Sequence, residues 1–165
     1  MPCLRWKISS VSEITSYGLT EVDYEKIKYV VLLAEYRDEW VTIRNKNRTV
    51  WELPGGKRER NEPLLKAASR ELYEETGAID FELTPYGIYL MNGSYGMNFH
   101  ARIHKLGELP DYEIAEIRLC KSLPDGLGYG DIYYKMYADW NERKGKPELI
   151  TYGFNSSINN RFYEF

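Results

Sequence analysis

The sequence predicts an α/β layered domain with a mixed β-sheet. Three observations carry that reading. Short β-branched, apolar runs of strand length recur along the chain, a helical segment with distinct faces interrupts them, and a second amphipathic helix follows near the end. The 165 residues suit one domain with a real hydrophobic core, and 43% hydrophobic with 28% charged residues is an ordinary globular mix.

In order, KYVVLLAEY (28–36) reads as a strand, RDE as a turn, and WVTIR (40–44) alternates like a second strand. NKNR (45–48) is a polar loop. TVWEL (49–53) is expected as a short strand closed by Pro54-Gly55-Gly56, a strong break. A helix is expected from Pro63 to Thr76, because proline suits a first turn and Gly77 the position past the end. Strand-like segments follow at 81–83, 87–91, 97–103 and 115–119. A second helix spans 130–143, with Ile132, Met136, Tyr137 and Trp140 on its apolar face. The tail, 145–165, is polar with scattered aromatics and is expected to pack back on the domain or contact a partner; a homodimer is a separate possibility.

The formal net charge of −3 offers no phosphate-neutralising face, so duplex DNA binding is not expected. Fifteen tyrosines dominate the aromatics and are expected mostly in packing, with a subset free to stack on a ligand base. Cys3 and Cys120 lack ligand-type spacing, which favours free thiols in a reducing compartment. The first residues lack a signal-peptide core, and the apolar run at 29–36 is far short of the ~20 residues that span a bilayer. A cytoplasmic location without membrane contact is the expectation.

The stretch RELYEETG (70–77) places Glu71, Glu74 and Glu75 within five positions of one helix. Like charges at such spacings each cost a helix roughly 0.2–0.5 kcal/mol. At ~100° per residue the three carboxylates share an arc of ~100°. Leu65, Leu72 and Thr76 form the expected buried stripe, while Lys66, Ser69 and Tyr73 lie on a third side. Alone, such a stretch is usually a solvated face. The acidity reads as uncompensated within the helix, however, and a glycine-rich turn, LPGGK, lies just upstream, where its backbone can approach closely. Clustered carboxylates near such a backbone suit a hard cation, Mg²⁺ or Mn²⁺.

From Gly56 the residues run G-KRERN-E-PLLKAAS-RELYEETGA. This resembles the Nudix box: glycine, five residues, Glu62, seven residues, Arg70-Glu71, an apolar residue, any residue, Glu74-Glu75, any residue, Gly77 and an apolar position held by Ala78. Seven fixed identities coincide by chance in about one in 10⁸ windows or fewer. The likeness extends over 28–143, including WELPGGK before the box and EIAEIRL after it, and implies a Nudix-type α/β/α sandwich.

The resemblance implies a hydrolase of diphosphate bonds in nucleoside diphosphate derivatives, with Mg²⁺ or Mn²⁺ as cofactor and a small nucleotide as partner. Glu74 and Glu75 would be the chief metal ligands, with the Gly55 carbonyl. Glu71 would be a further ligand or a general base, and Arg70 would brace the carboxylates together with Glu62. Lys57 either meets a phosphate oxygen or is solvated, and Arg44 stands where some family members contact phosphates. Glu113 and Glu116 are candidates for an extra base or ligand, ahead of Glu108. Pro63 stands where the family often carries a capping Ser or Thr, so the cap is expected at Asn61 or Glu62. His100 and His104 point to one side of a strand and are expected to pack rather than bind metal. Within the family the chain looks most like the mutator-type nucleoside triphosphate pyrophosphohydrolases, which include enzymes removing oxidised dGTP. ADP-ribose or nucleotide-sugar hydrolase, RNA 5′-end pyrophosphohydrolase and a non-catalytic nucleotide-binding module are the alternatives.

Overall fold

The computed structural model describes residues 13–156. Cys3 and the last part of the tail lie outside the described residues. The central feature is an eight-stranded mixed sheet built from β1 (Ile14–Tyr17), β2 (Ile27–Tyr36), β3 (Glu39–Asn45), β4 (Gly55–Lys57), β5 (Ala78–Met91), β6 (Ser94–Leu106), β7 (Ile114–Cys120) and β8 (Tyr152–Asn155). Its main order is β1-β5-β6-β2-β3-β7, with β4 paired to β2 and β8 to β5. Only β2 and β6 pair in parallel among these ladders; the rest are antiparallel.

Strand periodicity explains the layering. Successive side chains of β2 alternate between faces. Val30, Leu32 and Ala34 join one buried cluster with Leu64, Ala67, Ala68 and Leu72 of helix α1 (Leu64–Thr76). Val31 and Leu33 join the other with Ile132, Tyr133 and Met136 of helix α2 (Asp131–Arg143). The helices therefore cover opposite faces, giving an α/β/α sandwich. No helix among the described residues is long and apolar enough to cross a membrane.

Several expectations are corrected. Residues 49–53 form no strand; only the isolated bridge Ile43–Glu52 survives, because the segment is bent into the turn that leads to Gly55. The glycines expected to break structure instead form β4. Their missing side chains permit it: a Cβ on Gly55 would lie 2.4 Å from the Val30 carbonyl oxygen. The strands expected at 81–83 and 87–91 are one long strand, β5, in which register shifts, one of them between Pro85 and Gly87, accommodate the proline. Strands β1 and β8 were not expected, being short and edge-paired. The capping expectation also fails: Pro63 itself is the N-cap of α1 and no side chain caps it, since Glu62 is turned to Arg70. At the other end Gly77, at φ 77°, takes the left-handed conformation and donates its N–H to Tyr73 O at 2.8 Å.

Candidate active site

Helix α1 presents its carboxylates partly into the protein. Ser69, on the side of the helix that also carries Lys66 and Tyr73, is buried and donates its hydroxyl to Leu65 O at 2.8 Å. Glu71 is buried as well, so the acidic arc overlaps the packed face. This overlap places it against β4, where a Cβ on Gly56 would fall 2.3 Å from Glu71 Oε1. Only glycine fits there. The next strand residue, Gly55, donates its N–H to Glu75 Oε1 at 3.0 Å.

Arg70 ties the acids together. Its Nε and Nη2 meet both oxygens of Glu62 at 2.8 and 3.0 Å, a bidentate pair. Nη1 reaches Glu71 Oε1 at 2.9 Å and Glu74 Oε2 at 3.5 Å, and Nη2 also donates to Lys57 O at 3.1 Å. The acidity of the helix is thus not uncompensated: Arg70 stands four residues before Glu74 and faces it. Glu62 is positioned by its own turn, accepting the Glu59 N–H at 2.9 Å, while Arg58 holds Glu62 O and donates to Tyr24 O at 2.8 Å.

Burial and charge act in opposite senses on these groups. Burial raises Glu62, but the Arg70 hydrogen bonds and the Glu59 N–H outweigh it and hold its carboxyl below the ordinary range. Burial pushes Glu71 up despite Arg70. Glu75 is pushed up to about 9, first by burial and then by the nearby Glu71 charge, against the Gly55 N–H. Two neighbouring buried carboxylates that resist ionising together are a place where a proton or a cation is favoured.

Glu71, Glu75, Gly55, Gly56 and Lys57 line one end of a cavity of about 570 Å³. Tyr29, Tyr89, Tyr129 and Tyr133 line it too, with Met136 and Ile132 from α2. Glu113, just before β7, also borders it. Other predicted residues are not brought there. Arg44 Nε is paired with Glu116 Oε1 at 3.0 Å across β3 and β7, and neither borders the cavity. Glu74 leans toward Arg70, and Glu108 is an exposed residue near Gly77. The sequence did not point to Arg48, Glu52 or Asn45, and it allowed some tyrosines to stack on a ligand without marking which. The only signals that could have found them were the position of Glu52 beside LPGGK and of Arg48 in a polar loop.

A second cavity of about 580 Å³ lies toward the other end of β2, around Glu35, His100, Arg102 and Trp140. Its charges are largely matched internally, with Arg102 Nε on Glu35 Oε1 at 3.0 Å and His100 Nε2 3.5 Å from Glu35 Oε2. His100 stacks on Trp140 with centroids 4.1 Å apart, and exposed His104 pairs with Glu82 at 3.1 Å. No residue of the glutamate cluster reaches this cavity. Cys120 is a free thiol.

Residues 22–120 match the NUDIX domain family. The chain belongs to the Nudix family. Membership makes it a Nudix hydrolase, and solved structures agree on the fold. A NUDIX hydrolase of Nitrosomonas europaea is 25% identical with a TM-score of 0.61, the alignment covering 76% of this chain and 77% of that one. A point mutant of a Bacillus subtilis pyrophosphohydrolase is 23% identical with a TM-score of 0.70, covering 79% and 91%. A Streptococcus suis ADP-ribose pyrophosphatase shares 15% identity and a TM-score of 0.53, covering 69% and 88%. Comparison with curated protein sequences found no match.

Proposed function

We propose that this Nudix hydrolase cleaves a diphosphate bond in a nucleoside diphosphate derivative. The reading takes a nucleoside triphosphate, normal or oxidised, as substrate, with monophosphate and pyrophosphate as products. One observation carries it. The same cavity has an acidic end, made by Glu71 and Glu75 against a glycine backbone, and an aromatic wall of tyrosines. Its volume lies within the ~300–1,000 Å³ usual for small-molecule sites.

The donor set fits Mg²⁺ or Mn²⁺: hard carboxylate oxygens, two of them in buried groups whose ionisation burial opposes. Glu71 and Glu75, with Glu74 after a side-chain turn and the Gly55 carbonyl, would hold the ion. Among the described residues no three acids, cysteines or histidines are gathered to hold a metal ion, so Glu74 would join Glu71 and Glu75 only by turning away from Arg70. The bound ion supplies charge neutralisation on phosphate oxygens and a more acidic water. The protein does the rest. Arg70 fixes the glutamates, the tyrosines seat the nucleoside, and Glu113 accepts the proton of the attacking water. Glu71 is less suited to that last role, because Arg70 already engages its carboxylate at 2.9 Å.

The test is a panel of nucleoside triphosphates, 8-oxo-dGTP, ADP-ribose, nucleotide sugars and triphosphate-ended RNA, each with Mg²⁺ or Mn²⁺. Release of pyrophosphate from a nucleoside triphosphate is the expected result. Turnover of ADP-ribose alone would replace the substrate, and tight binding without turnover of any would make the protein a sensor.

A further inference from the structure

Only two cationic side chains border the acidic cavity among the described residues, Lys57 and Arg48. Against them stand four carboxylates, Glu52, Glu71, Glu75 and Glu113. A phosphate-bearing substrate must therefore find one of these cations or depend on metal alone. Lys57 is exposed at the box end. Arg48 approaches from the loop after β3, and its guanidinium is a planar fork able to hold two phosphate oxygens at once.

Its present contacts make it exchangeable. Arg48 Nη1 meets Glu52 Oε1, and the Tyr129 hydroxyl also faces the guanidinium. The Arg48 side chain is half exposed while the Glu52 side chain is 12% exposed. The arginine can swing to a new partner with little loss of packing; the glutamate is part of the wall. Arg44, by contrast, is committed to Glu116 outside the cavity.

We propose that Arg48 is the substrate-binding arginine of this cavity, held ready by Glu52 and Tyr129 and transferred to phosphate oxygens when the nucleotide enters. The assignment rests on the diphosphate reading above and adds to it the residue that grips the anion. Glu52 then sets the threshold: an anion must compete with it for the guanidinium.

Binding of inorganic pyrophosphate by titration calorimetry, in Mg²⁺, tests this without requiring turnover, and steady-state kinetics on the best nucleotide complete it. Arg48→Ala is expected to weaken pyrophosphate binding and raise KM by about 10- to 100-fold, the range of a lost charge-assisted hydrogen bond. Its kcat should change less than about threefold, because the group binds ground and transition states alike. Arg48→Lys should fall between. Glu52→Gln should bind pyrophosphate more tightly than the unaltered protein. Equal binding by Arg48→Ala and the unaltered protein overturns the proposal, as does a loss that follows Arg44→Ala instead. A Glu52→Gln variant as weak as Arg48→Ala would show that the pair is merely structural and would also overturn it. If the unaltered protein binds pyrophosphate through Arg48 yet hydrolyses nothing, the hydrolase reading fails and the binding residue stands.

Discussion

Glu75 illustrates how a single buried side chain links stability to pH. Its carboxyl is raised from the ordinary value to about 9, so the folded protein binds a proton that the unfolded chain has released. That contribution to stability is fully present below the ordinary carboxylate range and is lost as pH rises toward 9. In EDTA, the melting temperature should therefore decline between about pH 5 and 9, and Glu75→Gln should flatten the decline. An unchanged slope in the variant would remove Glu75 as its cause. If Glu75 ligates a cation as proposed, the same proton must leave on binding, and Mg²⁺ affinity should rise with pH over that window. Gly56→Ala makes a steric version of the test. Its Cβ would meet Glu71 at 2.3 Å, which should cut activity by about 100-fold with far less effect on melting. Glu113→Gln should lower kcat by about 100-fold with KM nearly unchanged if it accepts the proton; a pure KM effect would return it to the role of cavity wall.

At the scale of elements, α1 was the most legible part of the chain. Pro63, Gly77 and the box spacing marked its limits within a residue, and both helices formed where periodicity put them. What stayed hidden came from pairing at a distance. Ile14–Tyr17 and Tyr152–Asn155, four residues each, are too short to stand out locally, and each is held extended by its ladder to β5. The glycines of β4 looked like punctuation, yet they pair with β2 because close backbone approach excludes a side chain. Arg48 and Glu52 escaped attention because a cavity is a property of several loops together. Helix α2 bridges the two ends of the sheet face. Ile132, Tyr133 and Met136 border the acidic cavity, while Trp140 stacks on His100 and packs near Tyr86. Trp140→Ala should cost about 2–3 kcal/mol in denaturant unfolding, somewhat below a fully buried aromatic, since this residue is half-buried. A cost below ~0.5 kcal/mol would mean that the stack does not anchor the helix.

Across the molecule, one sheet with a helix on each face leaves the box helix and the tyrosine-bearing side of the fold to meet around β2 and β4. Residues of β2 contribute to both layers, Val30 to the α1 side and Val31 to the α2 side, and both border the acidic cavity. The family was readable because seven spaced identities are a chemical pattern rather than a packing one. The substrate was not, because the walls of the proposed site, from Tyr29 to Met136, converge only after folding. The measurement that bears most directly on the whole account is pyrophosphate release from nucleoside triphosphates in Mg²⁺, by the unaltered protein and by Glu75→Gln. EDTA-sensitive release by the former is expected, with a loss of about 100-fold or more in the latter and its melting temperature retained. Equal rates in the two proteins, or release undiminished by EDTA, would contradict it.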